Sequence, residues 1–211
     1  DVAPSRGLGD VYKRQVLYKT FEYDDLVPSI STYLSGEVPI TLLPAIAKPY
    51  NGRSSEGVLR ISNVKELEEV SSKSGYIFQE IIEGPVFTVD YIRNSYTDKD
   101  FSIVREELLR TKNGAGTTVR MSNDMSLKRL VSHIGNMIQV NGCINMEFIQ
   151  SKGKYYLIDI NPRFSAGVAF SHMAGYNMVL NHLNCFIVQD IQAPVLYQEQ
   201  IITKRYREEI L

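Results

Sequence analysis

Along the chain the spacing of apolar residues changes several times, and each change predicts an element. "PAIAKPY" is a short apolar run that reads as a strand ending at Lys48, and "VLRIS" reads as a returning strand after the loop Asn51 to Gly57. From Val64, Leu67 and Val70 fall on one helical face behind Ser62 or Asn63 as N-cap. "DDLVPSISTYL" predicts a short helix from Asp24 with Pro28 in its first turn. "GYIFQEII" is a strand broken at Glu83-Gly84-Pro85.

Strands resume in "VFTVDYI", "FSIVREELLRT" and "TTVRM", and the alternation of Phe87, Val89 and Tyr91 with Thr88 and Asp90 predicts a half-buried antiparallel sheet. Met125 to Val140 carries Leu127, Leu130, Val131, Ile134, Met137 and Ile138 at helical spacing, with Gly142 as the stop. "CINMEFIQ" and "KYYLIDIN", joined by "SKG", read as a hairpin, and a last helix is expected from about Ala166 to Val188. Strands in clusters separated by helices give an α+β class. Residues 16–80 form one expected lobe, 81–190 a second, and 191–211 a C-terminal extension. Residues 1–15 show no helical or strand period and run without a turn signal into "VLYKTF". They resemble translated adaptor sequence and are set aside as non-native.

The 211 residues, 44% apolar and 22% charged, suit a soluble chain with a real core. A net charge of -1 gives no reason to expect nucleic acid or an anionic membrane as partner. No run approaches the ~18 apolar residues of a membrane span, and no secretory signal precedes the domain, so a cytoplasmic location is expected. Cys143 and Cys185 lack metal-finger spacing and read as small buried hydrophobes, and the three histidines have no acid or cysteine partners in sequence.

Candidate chemistry concentrates in the hairpin. Period-two alternation places Asn145 and Glu147 on one face of its first strand, and Asp159 with Asn161 on one face of its second. Glu147 then lies beside Asp159 or diagonal to it, and two carboxylates so close call for a cation between them. Carboxylate and amide oxygens suit Mg²⁺. Arg163 follows, and "SAG" opens a helix whose free N–H groups favour an anion. In the first half, Lys48 precedes a small-residue loop in which Ser54, Ser55 and Gly57 could wrap phosphate oxygens. "IFQEIIEGP" can present backbone groups to an adenine edge, with Gln79 and Glu80 as side-chain options. Arg105 and Arg110 could hold a carboxylate by forked hydrogen bonds, or else form a salt-bridged exposed strand with Glu106 and Glu107.

In order, "AKPYNGRSSEGV", "QEIIEGPVFTVDY", and "NMEF" followed by "IDINPRFSAG" resemble the ATP-grasp superfamily over about Thr20 to Asp190, in particular its carbamoyl-phosphate-synthase-like carboxylate ligases. The resemblance implies two α+β lobes sandwiching ATP, with a preceding N-terminal domain absent from this chain. It implies a ligase that phosphorylates a small carboxylate and lets an amine attack the acyl phosphate. Lys48 and the loop with Ser54, Ser55 and Gly57 would hold phosphates, and Gln79, Glu80 and Ile82 would line adenine. Glu147, Asp159 and Asn161 would bind Mg²⁺ or its substitute Mn²⁺, and Arg163 would steady the transferring phosphoryl group beside a substrate-holding Arg105. Oligomeric state stays open. Val86 stands where the family usually carries a ribose-binding carboxylate, and Asp159 where glutamate is commoner. The alternative is a nucleotide-binding module without ligase activity.

Overall fold

The computed structural model describes residues 19–49, 57–112, 114–195 and 197–205. The set-aside segment 1–15, with Ser54 and Ser55, lies outside the described residues. The chain divides after Glu83 into two compact units.

The first unit holds β1 (Thr32–Leu34), β2 (Ala45–Pro49), β3 (Leu59–Ile61), α1 (Val64–Ser71) and β4 (Tyr76–Glu80). Its strands pair antiparallel in the order β1-β4-β2-β3. A reciprocal cap starts α1: Asn63 accepts from the Glu66 N–H at 3.0 Å, and the Glu66 carboxylate accepts from the Ser62 N–H at 2.8 Å. Leu67 and Val70 are buried with Ala45, Ala47, Ile61 and Phe78 in one core cluster. The helix expected from Asp24 does not form. Asp24 instead accepts the Leu26 and Val27 N–H groups at 2.9 and 3.1 Å, which closes a turn ahead of Pro28, and the following residues reach β1 extended.

The second unit is built on β5 (Val86–Asn94), β6 (Lys99–Arg110), β7 (Gly116–Ser122), β8 (Gly142–Ser151), β9 (Lys154–Asn161) and β10 (Ile201–Thr203). They form one antiparallel sheet in the order β10-β7-β6-β5-β8-β9. The β8–β9 turn is Lys152-Gly153, with φ of 48° and 74°, the two-residue turn whose twist suits a hairpin. Helix α2 (Met125–Met137) packs on the face carrying Tyr91. Its Gly135 is obligatory there, because an added Cβ would lie 2.2 Å from the Tyr91 ring. On the opposite face Ile92, Ile103 and Cys143 pack with Phe170, Met178 and Cys185 from two short helices and the residue that ends the second, α3 (Val168–Met173) and α4 (Met178–Asn184).

Three expectations change here. β5 is covered on both faces, so Thr88 and Asp90 are as buried as Val89 and Tyr91. The last helix is two helices, because Gly175 takes φ of 90° and Asn177 starts a new cap by accepting from the Leu180 N–H at 3.0 Å. Of the expected C-terminal extension, the described Ile191, Tyr197 and Ile202 are buried in the core, and β10 pairs with β7. Among the described residues no helix is long and apolar enough to cross a membrane.

Asp124 ties α2 to the hairpin. Its carboxylate accepts the Ser126 and Leu127 N–H groups at 2.7 and 3.1 Å, and the Tyr155 hydroxyl at 2.8 Å. Burial pushes this carboxyl up, but hydrogen bonds from Ser126, Tyr155 and the Leu127 N–H outweigh it and hold it below its ordinary value. Asp124→Ala should therefore cost about 1–2 kcal/mol at neutral pH. A depressed native carboxyl contributes stability above the unfolded value of about 3.9 and loses it as pH falls through the native one. The gap between wild type and variant in urea midpoints should accordingly narrow as pH falls from about 5 to about 3.

Candidate functional site

Cross-strand register gathers one polar face at an end of the six-stranded sheet. Arg105, Thr88, Glu147 and Asp159 are successive Cα partners across β6, β5, β8 and β9, and Asp90, Asn145 and Asn161 form the adjoining row. Further along the same face the sheet turns apolar at Ile92 and Ile103.

Two irregularities make this face. In β9, Asp159 pairs with Glu147 but Leu157 pairs with Phe148, so Ile158 is an extra residue. Strict alternation would put Asp159 on the side of Leu157; the bulge moves it beside Glu147. In β6, Glu107 pairs with Val119 and Leu109 with Thr118, so Leu108 is extra and the alternation resets again. Arg110 thereby comes round to the face of Glu107 and donates to Glu147 Oε2 at 2.9 Å. Its Nε donates to the Gly114 carbonyl at 2.7 Å.

Arg105, expected to hold a substrate carboxylate or to lie on an exposed salt-bridged strand, is instead found in the interior. It is 1% exposed and donates to Asp90 Oδ2 at 2.8 Å, Ser165 Oγ at 2.9 Å and Glu107 Oε1 at 3.3 Å. Ser171 Oγ also donates to Asp90 at 2.6 Å. The polar face thus carries the carboxylates of Asp90, Glu107, Glu147 and Asp159 against the guanidiniums of Arg105 and Arg110. Burial pushes the Glu147 carboxyl above its ordinary value; Arg110 opposes this, while Asp159 and Glu107 add to it. Asn161 donates to Asp159 Oδ2 at 3.0 Å and to Asn145 Oδ1 at 3.3 Å, so its amide nitrogen, not its oxygen, faces both. Buried polar atoms without a partner also collect here: Thr88 Oγ1, Asp90 Oδ1, Glu107 Oε2 and Asn145 Nδ2.

Arg163 is exposed, with Nη1 donating to the Phe164 carbonyl at 3.1 Å. The helix expected to open at Ser165 begins at Val168, and the Ser165 hydroxyl is buried against Arg105. Asp90, Glu107, Thr88 and Asn145 join the site without having been candidates for it. Alternation already places Asn145 on the face of Glu147, though not among the expected ligands, whereas Asp90 and Glu107 are placed by strand pairing that no local pattern reveals.

In the first unit Lys48 Nζ donates to Gln79 Oε1 at 2.8 Å, and Gln79 Nε2 donates to Thr32 Oγ1 at 2.8 Å. Gln79 pairs with Ile46 and Lys48 with Ile77, which puts Lys48 and Gln79 on one face. Glu80 alternates to the other face, where its carboxylate accepts the Ser31 N–H at 2.9 Å, so it does not accompany Gln79. Ile82 is half-buried in the connection beyond β4. Gly57 has φ of 69° and would bring a Cβ to 2.9 Å from Pro49, so at Gly57 the backbone passes close to the end of β2.

Two α+β units, each with its own antiparallel sheet, define the class of fold. Residues 16–167 match the family model for the ATP-grasp domain, and the chain belongs to that family. No curated protein sequence matches it. Among solved structures, the chain is similar to N5-carboxyaminoimidazole ribonucleotide synthetase from Thermus thermophilus, at 16% identity and TM-score 0.75 over 95% of this chain and 59% of that one. Biotin carboxylase from Campylobacter jejuni aligns at 14% identity and TM-score 0.74, over 87% of this chain and 48% of that one. The biotin carboxylase domain of the Hydrogenobacter thermophilus 2-oxoglutarate carboxylase, in complex with MgADP, ADP and bicarbonate, gives 15% identity and TM-score 0.72, over 87% and 47%. The chain thus spans roughly half the length of these structures.

The Arg105 network should carry stability in the second unit. Arg105→Met strands the buried Asp90 carboxylate and should cost about 3–5 kcal/mol. Replacing both partners, as Arg105→Met with Asp90→Leu, should recover part of that loss in thermal or urea unfolding.

Proposed function

We propose that this chain is the ATP- and Mg²⁺-binding core of a ligase that activates a small carboxylate as its acyl phosphate for attack by an amine. The observation that carries the reading is the direct pairing of Glu147 with Asp159, beside Asn161, on a sheet face of an ATP-grasp fold. Two carboxylates are hard-oxygen donors, and the Asn161 amide, turned over so that its oxygen replaces the nitrogen now facing Asp159, would add a third. An excess of carboxylates with orphaned buried polar atoms fits a small divalent cation. Glu147, Asp159 and Asn161 would hold it; when bound, Mg²⁺ neutralises charge on phosphate oxygens and fixes their geometry.

The rest falls to side chains of the chain itself. Lys48, aimed by Gln79, would donate to phosphate oxygens, and turning to a phosphate replaces a neutral acceptor with a charged one. Gln79, Ile82 and the backbone after Glu80 would meet the base, and Ser54 and Ser55 the phosphates. Arg163, exposed and bonded to the Phe164 carbonyl, would turn its fork to a transferring phosphoryl group. Phosphoryl transfer depends on this kind of positioning and charge neutralisation more than on covalent help. The cytoplasm, where ATP and Mg²⁺ abound, is the expected setting.

Calorimetric titration of the full chain with ATP and Mg²⁺ tests the proposal. Lys48→Ala should weaken binding about tenfold or more, near 1.4 kcal/mol, and Asp159→Ala should remove its dependence on Mg²⁺. Binding that is the same in both variants as in wild type would sink it. A nucleotide-binding module without ligase activity is the second reading, favoured by Val86 in the ribose position. ADP release that requires an added carboxylate distinguishes the two.

A further inference from the structure

We infer that Arg110 is a resident counter-ion of Glu147 that a divalent cation must displace, so that arginine and metal occupy this carboxylate in turn. The inference rests on the reading of Glu147, Asp159 and Asn161 as a metal site.

The β6 bulge at Leu108 brings Arg110 onto the acid-rich face, two strands away from Glu147, and its guanidinium closes on Oε2 at 2.9 Å. A bulge that re-aims one side chain onto a charged face is a positioned feature of the sheet. Arg105 cannot serve Glu147 in its place, because its three nitrogens are engaged by Asp90, Ser165 and Glu107. Arg110 therefore supplies the positive charge that lets Glu147 face Asp159 across the hairpin. A divalent cation on the same pair of carboxylates would bring two positive charges against the guanidinium and compete for the same oxygen lone pairs.

Arg110 is also able to leave. Its side chain is 27% exposed, and its second anchor is a backbone carbonyl, Gly114. Displaced from Glu147, it stays on β6 within side-chain reach of the site, with a planar fork free for a phosphate or carboxylate oxygen. Loading of the metal would thus deliver a cation to the anionic substrate, in that order.

Mn²⁺ alone, titrated into the full chain and followed by the electron paramagnetic resonance of the free ion, reads the competition directly. Arg110→Gln should bind Mn²⁺ about tenfold more tightly than wild type, Arg110→Lys should stay near the wild-type value, and Asp159→Asn should bind more weakly. Unchanged or weaker binding by Arg110→Gln, with Asp159→Asn still weakened, overturns the displacement and leaves the metal site standing. Equal tightening by the lysine variant also overturns it, since charge would not be the cause. No Mn²⁺ binding by wild type or Arg110→Gln overturns both readings. In wild type, Mg²⁺ should shift the Arg110 Nη–H resonances, since an Nη and not Nε holds Glu147; Nη resonances unmoved at saturation contradict displacement without relying on any variant.

Discussion

Repulsion among carboxylates held on one sheet face is the constraint around which the second unit is arranged. Side chains directly opposite in an antiparallel pair stand about 4.5–5.5 Å apart at Cβ, so Glu147 and Asp159 cannot avoid each other once the hairpin is zipped. The unit answers with two arginines used differently. Arg105 is locked among Asp90, Ser165 and Glu107 in the interior, where removing one partner would strand the others. Arg110 lies at the accessible edge, shared between Glu147 and a backbone carbonyl. The first arginine makes the acidic face foldable, and the second makes it neutral enough to wait.

Nothing in this arrangement arises from alternation alone. Extended without interruption, β9 would send Asp159 to the side of Leu157, and β6 would send Arg110 away from Glu107. The single extra residues, Ile158 and Leu108, reverse both outcomes. Each is an apolar residue beside another, Ile158 next to Leu157 and Leu108 next to Leu109, and carries no mark of its role, since a bulge is a one-residue offset between two strands. Alternation nonetheless places Asp159 and Asn161 with Glu147 when it is counted from the acidic end of the strand. Counted from Tyr155, the same rule gives the opposite face.

Other parts of the molecule are legible for clear reasons. The SKG hairpin, the Asn63 cap and the α2 stripe each rest on local chemistry confined to a few residues. The failures have in common that tertiary contacts decide them. Thr88 and Asp90 look like a solvated face, yet α3 and Arg105 cover Asp90 through Ser171 and the guanidinium. Arg105 looks like a surface residue in a charged run and is among the largest fully buried side chains. β10 is three residues long and exists because Ile202 finds the core beside Val119, its register partner from far earlier in the chain.

Lys48 in the first unit and Glu147 in the second are held by partners of different kinds. Lys48 rests on the Gln79 amide, itself held by Thr32, and a hydrogen bond of that kind contributes about 0.5–1.5 kcal/mol, or somewhat more when one member is charged. Glu147 rests on a guanidinium, and any cation that replaces it must first break an ion pair in a partly desolvated place. On the proposed reading, Glu147 yields only to a cation that supplies at least the charge Arg110 gives up, so the cost of loading the acidic face is the breaking of this pair.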